Sequence, residues 1–330
     1  IKDDAAAAAT PQRHVLAELS DAVAALSIEL GRPLSLVAEA DLNDVGVITP
    51  TSEEPPAKVP SLGMTAQWAD DVHHALHVRL TGEDQGYYGD FAEVGAWAKA
   101  YGRAFLHNGT WSTFRERNWG APVPEDTDPR RFVVFGSDHD QVGNRAVGDR
   151  PSVILDDAAL AATAALVLLS PYTPMLFMGE EWGTRTPFQF FTDHEEDDLA
   201  RSVSEGRVRE FAGFGWDADE IPDPQAAATV EASRLRWSEL DEAEHARVLA
   251  WYQALTTLRR NLDWSQRTAW PQVDEIDDVL MVTYDDIVVA ANLSGQERPA
   301  PALSTVLLSW DPFDAAAPSL SPGQTLIARR

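Results

Sequence analysis

Three times along this 330-residue chain a short apolar run ends abruptly in ionisable residues and gives way to helical periodicity. Residues 132–145, FVVFGSDHDQVGNR, are the clearest instance: an apolar, β-branched run stops at Asp138, His139 and Asp140. Residues 34–38 run in the same way into Glu39, Asp41, Asn43 and Asp44, and residues 173–178 into Gly179, Glu180 and Glu181. A strand that is apolar on both faces must be buried on both, as in a parallel sheet covered by helices. Strand, acid-tipped loop and helix in succession therefore predict an α/β chain whose charged side chains gather beyond the carboxyl ends of its strands. The triplet at 138–140 admits two readings by itself: it lines a binding cup, or Asp140 caps the next helix while His139 satisfies a loop carbonyl.

The other periodicities fit that plan. Apolar residues at Val15, Leu16, Leu19, Val23, Leu26 and Leu30 predict a helix over 11–30, stopped by Gly31 and Pro33. Residues 49–60 read as a proline-rich loop, 62–68 as a strand, and 70–80 as a helix carrying His73, His74 and His77. A Tyr-Tyr-Gly-Asp turn and a further helix occupy 86–101; the long stretch 106–128 is irregular, and its tryptophans argue against disorder. An alanine- and leucine-rich helix spans 152–169, residues 193–224 are charged and irregular, and 242–260 are helical. From about Leu262 the pattern changes to short β-rich runs, at 279–284, 287–292 and 306–309. These features predict alternating β and α elements over residues 1–261, for which a (β/α)8 barrel is the natural home, and a small antiparallel β-sandwich domain over 262–330. In such a barrel the strands are packed core, and chemistry belongs to the loops that follow them.

Charge and composition narrow the partners. The 26 basic and 53 acidic residues leave a net charge of −27, which repels nucleic acid and anionic membrane surfaces and favours a neutral or cationic ligand. Eleven tryptophans are many for this length, and flat aromatic faces suit sugar rings. With no cysteine there is neither a disulfide framework nor a thiolate metal site, and a reducing, cytoplasmic compartment suits the chain. The best apolar run, 158–169, is too short to span a bilayer, and the opening on Ile1 rather than methionine removes any weight from the lack of a signal peptide. His73, His74 and His77 lack a His-Glu-x-x-His arrangement, and Asp41, Asn43 and Asp44 lack the glycine and distal glutamate of an EF-hand. No metal is expected at either place, and the two acids and amide of the loop read as loop-bracing or sugar-contacting.

Taken together, the acid tips resemble those of the α-amylase family of glycoside hydrolases. In LVAEADLND, residues 36–44, Glu39 matches the family's general acid at the end of the fifth barrel strand. In DHDQ, residues 138–141, Asp140 matches its transition-state-stabilising aspartate after the seventh strand, with His139 beside it as a ligand to a sugar hydroxyl. The run TPMLFMGEEW, residues 173–182, matches the eighth strand. Longer segments are more specific: QWADDVHHALHVRLTGE at 67–83, HDQVGNRAVGDR at 139–150, TPFQFFTDH at 186–194 and FGW at 214–216 resemble the maltooligosyltrehalose trehalohydrolase branch.

That resemblance implies the C-terminal half of a (β/α)8 barrel, strands five to eight, and cofactor-free, retaining hydrolysis of the α-1,4 bond next to the terminal trehalose of a malto-oligosaccharide. It implies catalytic roles for Glu39, protonated in the free site, and Asp140, ionised. It makes His139, Asp41, Asp70, Asp71, His74 and Glu180 substrate contacts, with pairing to Arg185 as the alternative for Glu180. Trp182 is the first choice for a sugar platform because it follows a strand tip, whereas Trp68, Trp111 and Trp119 read as core. Two departures stand out. The family's nucleophile lies in an Arg-x-Asp-Ala pattern, which occurs nowhere in the 330 residues, and IKDDA at 1–5 resembles the residues just past that strand. The expectation is a chain that starts just after the nucleophile strand and, alone, binds malto-oligosaccharide without turning it over. Asp138 stands where the family usually has asparagine and is expected to point to water. The competing readings are a glucan branching enzyme of the same superfamily and a non-catalytic carbohydrate-binding chain.

Overall fold

A computed structural model describes residues 13–55, 57–212 and 220–330. Residues 1–5 and 214–216, two of the segments that carried the resemblance, lie outside the described residues. The chain divides into two compact units, one of residues 1–134, 169–175 and 259–288, the other of residues 135–168, 176–258 and 289–330. Among the described residues no helix is long and apolar enough to cross a membrane.

The first unit is built on a parallel four-stranded sheet. It opens with α1 (Val15–Leu30), closed by Gly31 in the left-handed region at φ 62° with its N–H on the Ile28 carbonyl. Then come β1 (Val37–Ala38), β2 (Ala66–Trp68), α2 (Asp70–Thr81) and α3 (Ala96–Arg103). A hairpin of β3 (Thr110–Ser112) and β4 (Arg117–Trp119) precedes β5 (Phe132–Val134) and β6 (Thr173–Pro174). The sheet runs β1-β2-β5-β6, every neighbouring pair parallel. All three residues of β5 are buried, as its apolar run requires, and Phe132 sits edge-on to Phe105 and Tyr172. The aromatic core is fixed by polar handles: the Tyr172 hydroxyl donates to the Tyr101 carbonyl and accepts from the Ala104 N–H at 3.2 Å, and Trp264 Nε1 donates to the Ser170 carbonyl at 2.7 Å. The unit also contains the antiparallel pair β7 (Gln272–Ile276) and β8 (Val279–Tyr284).

Two expectations change here. The run at 34–38 is not a buried strand: β1 has two residues, pairs only with β2 among the described residues, and leaves Val37 50% exposed. β6 stands at the other edge and is equally short, with Thr173 exposed. A strand hydrogen-bonded on one side only is covered on one side only, whatever its apolar content. The stripe of α1 is likewise mostly uncovered: Ala17 and Ser20 are buried, but Val15, Leu19, Leu26 and Leu30 stand in solvent.

β9 (Ile287–Asn292) carries the chain into the last part of the second unit, whose helices are α4 (His139–Gly143), α5 (Pro151–Ile154), α6 (Asp157–Leu168), α7 (Asp197–Ala212), α8 (Ala227–Ala232) and most of α9 (Ala243–Asn261). Its short strands are β10 (Arg298–Pro299), β11 (Thr305–Ser309), β12 (Ser319–Leu320) and β13 (Thr325–Arg329), paired antiparallel as β10 with β12 and β11 with β13. α6 is the buried helix, with Ala161, Ala162 and 164–168 inside and the Trp251 indole of α9 donating to the Ala161 carbonyl at 3.0 Å. The single helix expected over 152–169 is two, because the Asp156 carboxylate takes the Ala159 N–H at 2.8 Å and starts α6 afresh. The stretch expected to be irregular holds α7, a helix with few apolar residues whose surface pairs Arg201 with Asp198 and Arg209 with Glu205.

Candidate active site

In the first unit Glu39 follows β1 directly and is exposed. The loop beyond it is anchored residue by residue. Asp41 is an exposed acid whose carboxylate pairs with the Arg115 guanidinium at 2.8 Å and whose backbone carbonyl accepts from the Trp119 indole N–H at 2.7 Å. Asn43, at φ 51°, is buried and donates to Asp71 Oδ2 at 2.8 Å and to the His107 carbonyl at 3.2 Å. Asp44 is buried as well; it accepts the Gly46 N–H at 2.8 Å and the Lys58 N–H at 2.9 Å. Asn43 and Asp44 are thus loop braces, the first of the two roles weighed for them.

Asp70 and Asp71 open α2, where carboxylates favour the helix N-terminus. Asp70 is half-buried, but Asp71 is interior, and its Oδ2 accepts from Leu106 N at 2.7 Å and His107 N at 3.0 Å in addition to Asn43. Burial pushes its pKa up, against the pull of these hydrogen bonds and of His107. Its engaged oxygen makes Asp71 a joint between α2, the Asn43 loop and the 106–107 segment, not a side chain turned out to ligand. His74 lies among Tyr87, Phe91 and Tyr88, with ring centroids 4.9, 5.1 and 5.3 Å away. Burial, then the neighbouring His77, Arg115 and His107, push its pKa down to about 3, so the ring is neutral at physiological pH. His77 stacks on Tyr88 at 4.6 Å and bonds Glu83 at 2.8 Å, so the histidines of α2 belong to an aromatic cluster.

The hairpin β3–β4 carries Phe114, which sequence reasoning missed, and Trp111 and Trp119, which it read as core. Trp111 and Phe114 are 59% and 58% exposed, and Phe114 meets Tyr87 at 6.0 Å. The Trp119 ring lies beneath two guanidinium groups, Arg115 at 4.8 Å and Arg117 at 4.6 Å. The available signal was the aromatic and basic spacing of TWSTFRERNW, with Glu116 at φ 50° in the turn.

In the second unit Asp138 corrects one expectation: it is not in water but buried, and its carboxylate caps α4 by accepting Asp140 N at 2.8 Å and Gln141 N at 3.2 Å. Asparagine caps a helix in the same way, so the exchange conserves the role. Burial pushes the Asp138 pKa up, while the two capping bonds oppose it. His139 and Asp140 are exposed on the first turn of α4, and Asp140 Oδ1 accepts from Asn144 Nδ2 at 2.8 Å. Of the two readings left open for the triplet, capping falls to Asp138, and Asp140 is presented to solvent.

The turn after β6 faces inward. Gly179 at φ 91° starts a single 3-10 turn that buries Trp182, whose indole donates to Glu239 Oε2 at 3.1 Å. A ring with 2% exposure offers no sugar platform, so that expectation is corrected. Glu180 is also turned into the protein, accepting the Phe177 N–H at 2.9 Å and the Tyr252 hydroxyl at 3.1 Å. Burial, helped by Glu181, pushes its pKa up to about 8 against those bonds and Arg150. Arg185 pairs with Glu244 at 2.7 Å rather than with Glu180. Arg150, nearly fully buried, ties the segment after α4 to this turn by donating to the carbonyls of Thr186 at 2.6 Å and Met178 at 2.9 Å.

No protein-family model matches the chain. It is 46% identical to the malto-oligosyltrehalose trehalohydrolase of Arthrobacter ramosus over 95% of its own length and 54% of that protein's. It is 38% identical to the enzyme of the same name from Saccharolobus solfataricus over 75% of this chain and 40% of that one. A solved structure described as a putative alpha amylase from Salmonella typhimurium superposes with a TM-score of 0.83 at 32% identity, covering 98% of this chain and 55% of that chain. An isomaltulose synthase mutant from Erwinia rhapontici, at 13% identity and TM-score 0.52, shares the fold alone. The chain is thus similar to malto-oligosyltrehalose trehalohydrolases and to a structure described as an alpha amylase, and its architecture fits part of a (β/α)8 barrel with a β-rich region. The chain spans about half the length of the curated relatives it matches.

Proposed function

We propose that this chain supplies the general acid and the transition-state-stabilising carboxylate of a retaining hydrolase that releases trehalose from a malto-oligosaccharide with a terminal trehalose unit. The observation that carries the reading is topological: Glu39 and Asp140 follow the carboxyl ends of β1 and β5, two strands of one parallel sheet. On this reading β1, β2, β5 and β6 are strands five to eight of the barrel, the catalytic part runs to residue 261 and the antiparallel sandwich domain begins at 262.

Glu39 protonates the leaving glycosidic oxygen and later, as a base, activates water. The Asp140 carboxylate stabilises the oxocarbenium-like transition state, with His139 bonding a sugar hydroxyl. The attacking carboxylate is an aspartate in an Arg-x-Asp-Ala pattern, which the 330 residues do not contain, so by themselves they bind oligosaccharide without turnover. The exposed Trp111 and Phe114 give that binding a surface on which sugar rings stack, and Asp41 and Asp70 complete the contacts. No cofactor takes part.

The test uses a polypeptide of the relatives' full length that carries this chain. Glu39→Gln and Asp140→Asn should each lower trehalose release by about 10³-fold. Retained release in Glu39→Gln would refute the reading, and new branch points in place of free trehalose would make the enzyme a transferase.

A further inference from the structure

The segment that follows Glu39 is fixed at three points. Asp44 is held by the N–H groups of Gly46 and Lys58, and Asn43 by Asp71, by the His107 carbonyl and by the Ala121 N–H on its own carbonyl at 2.9 Å. The third anchor is nearest the acid: the Trp119 indole on the carbonyl of Asp41, two residues past Glu39. The hairpin reaches the loop because Gly120, at φ 71°, has no side chain. A Cβ there would meet the His107 carbonyl oxygen at 2.0 Å and the Asn43 Cβ at 2.8 Å. The indole is itself oriented by the two guanidinium groups over it, and Arg115 reaches on to the Asp41 carboxylate.

β1 ends at Ala38, so the backbone from which Glu39 projects belongs to the loop that these anchors hold. Proton transfer to a leaving oxygen needs that carboxyl placed within about 0.5 Å. We propose that Trp119 is a positioning residue for Glu39: its indole N–H pins the Asp41 carbonyl and so sets the orientation of the proton donor. This rests on Glu39 being the general acid. The aromatic hairpin is then more than a sugar platform, because it holds the acid's loop at the same time.

Trp119→Phe in the full-length polypeptide keeps a ring beneath both guanidinium groups and removes one donor. The expected result is a fall in kcat for trehalose release of about 10-fold with KM within about twofold. Hydrolysis of a malto-oligosyl fluoride, whose leaving group needs no proton, should stay within about twofold, and Tm within about 2 °C. A fold defect would move Tm and slow both substrates alike. In the 330-residue chain the Trp119 indole proton should exchange slowly with solvent, as a hydrogen-bonded donor does. Unchanged kcat, or equal losses on the natural bond and the fluoride, in Trp119→Phe, with Glu39→Gln inactive, would overturn this inference and leave the proposed function standing. An active Glu39→Gln would overturn both.

Discussion

Asp71 offers the sharpest stability test, because its environment separates two roles that a sequence cannot. Three donors converge on one oxygen, Oδ2, at 2.7, 2.8 and 3.0 Å, and all are buried. Asp71→Ala leaves two backbone N–H groups and the Asn43 amide without an acceptor, each costing about 1–3 kcal/mol. Relaxation of the loop and removal of a carboxylate that burial disfavours offset part of this, so the expected loss is about 3–5 kcal/mol. Asp71→Asn keeps an acceptor oxygen in place and should cost less than about 1.5 kcal/mol at neutral pH. The pH dependence has a definite sign. Burial raises the folded-state pKa above the ordinary 3.8, so the folded protein holds the proton more tightly than the unfolded chain. Wild type therefore loses stability relative to Asp71→Asn as pH rises from the unfolded value through the folded one. Equilibrium urea unfolding of the 330-residue chain at several pH values reads all three quantities. A cost for Asp71→Asn equal to that of Asp71→Ala would refute the reasoning.

Two further outcomes concern a buried and an exposed group. Glu180, pushed up to about 8, binds a proton in the folded state that the unfolded chain releases near 4.5, so wild type should lose stability relative to Glu180→Gln between those values and no further above them. The slope is at most about 1.4 kcal/mol per pH unit, and a pH-independent difference between the two proteins would exclude a protonated Glu180. Trp111→Ala should weaken malto-oligosaccharide binding by the 330-residue chain about 10-fold, the loss of one stacked ring, and calorimetry showing an unchanged Kd would remove Trp111 from the binding surface.

Much of the fold was legible. The buried run at 132–134, the helix over 70–81 and the strands at 279–284 and 287–292 lie where periodicity put them, because each is packed on the faces its pattern demands. β1 and β6 were overread: each is two residues long, and Val37 and Thr173 are exposed. α7 escaped notice because its surface is stabilised by spaced ion pairs, which leave little apolar period to read. At the candidate site, Glu39 and Asp140 lie exposed in the segments after their strands. Asp71, Glu180 and Trp182 also follow strand tips, yet turn inward. The direction of a side chain in a loop depends on hydrogen bonds made to residues 30 or more positions away, such as Leu106 for Asp71 and Glu239 for Trp182. No local pattern encodes those partners. Trp111 was read as core and Phe114 was missed because a hairpin of three-residue strands carries too short an alternation to register.

The most direct measurement compares leaving groups in the full-length Glu39→Gln enzyme. A natural glucosidic oxygen needs a proton to depart, whereas fluoride in a malto-oligosyl fluoride does not. If Glu39 is the proton donor, hydrolysis of the natural bond falls by about 10³-fold and hydrolysis of the fluoride by less than about 10-fold. Equal losses on the two substrates, or no loss on either, would contradict the role assigned to Glu39.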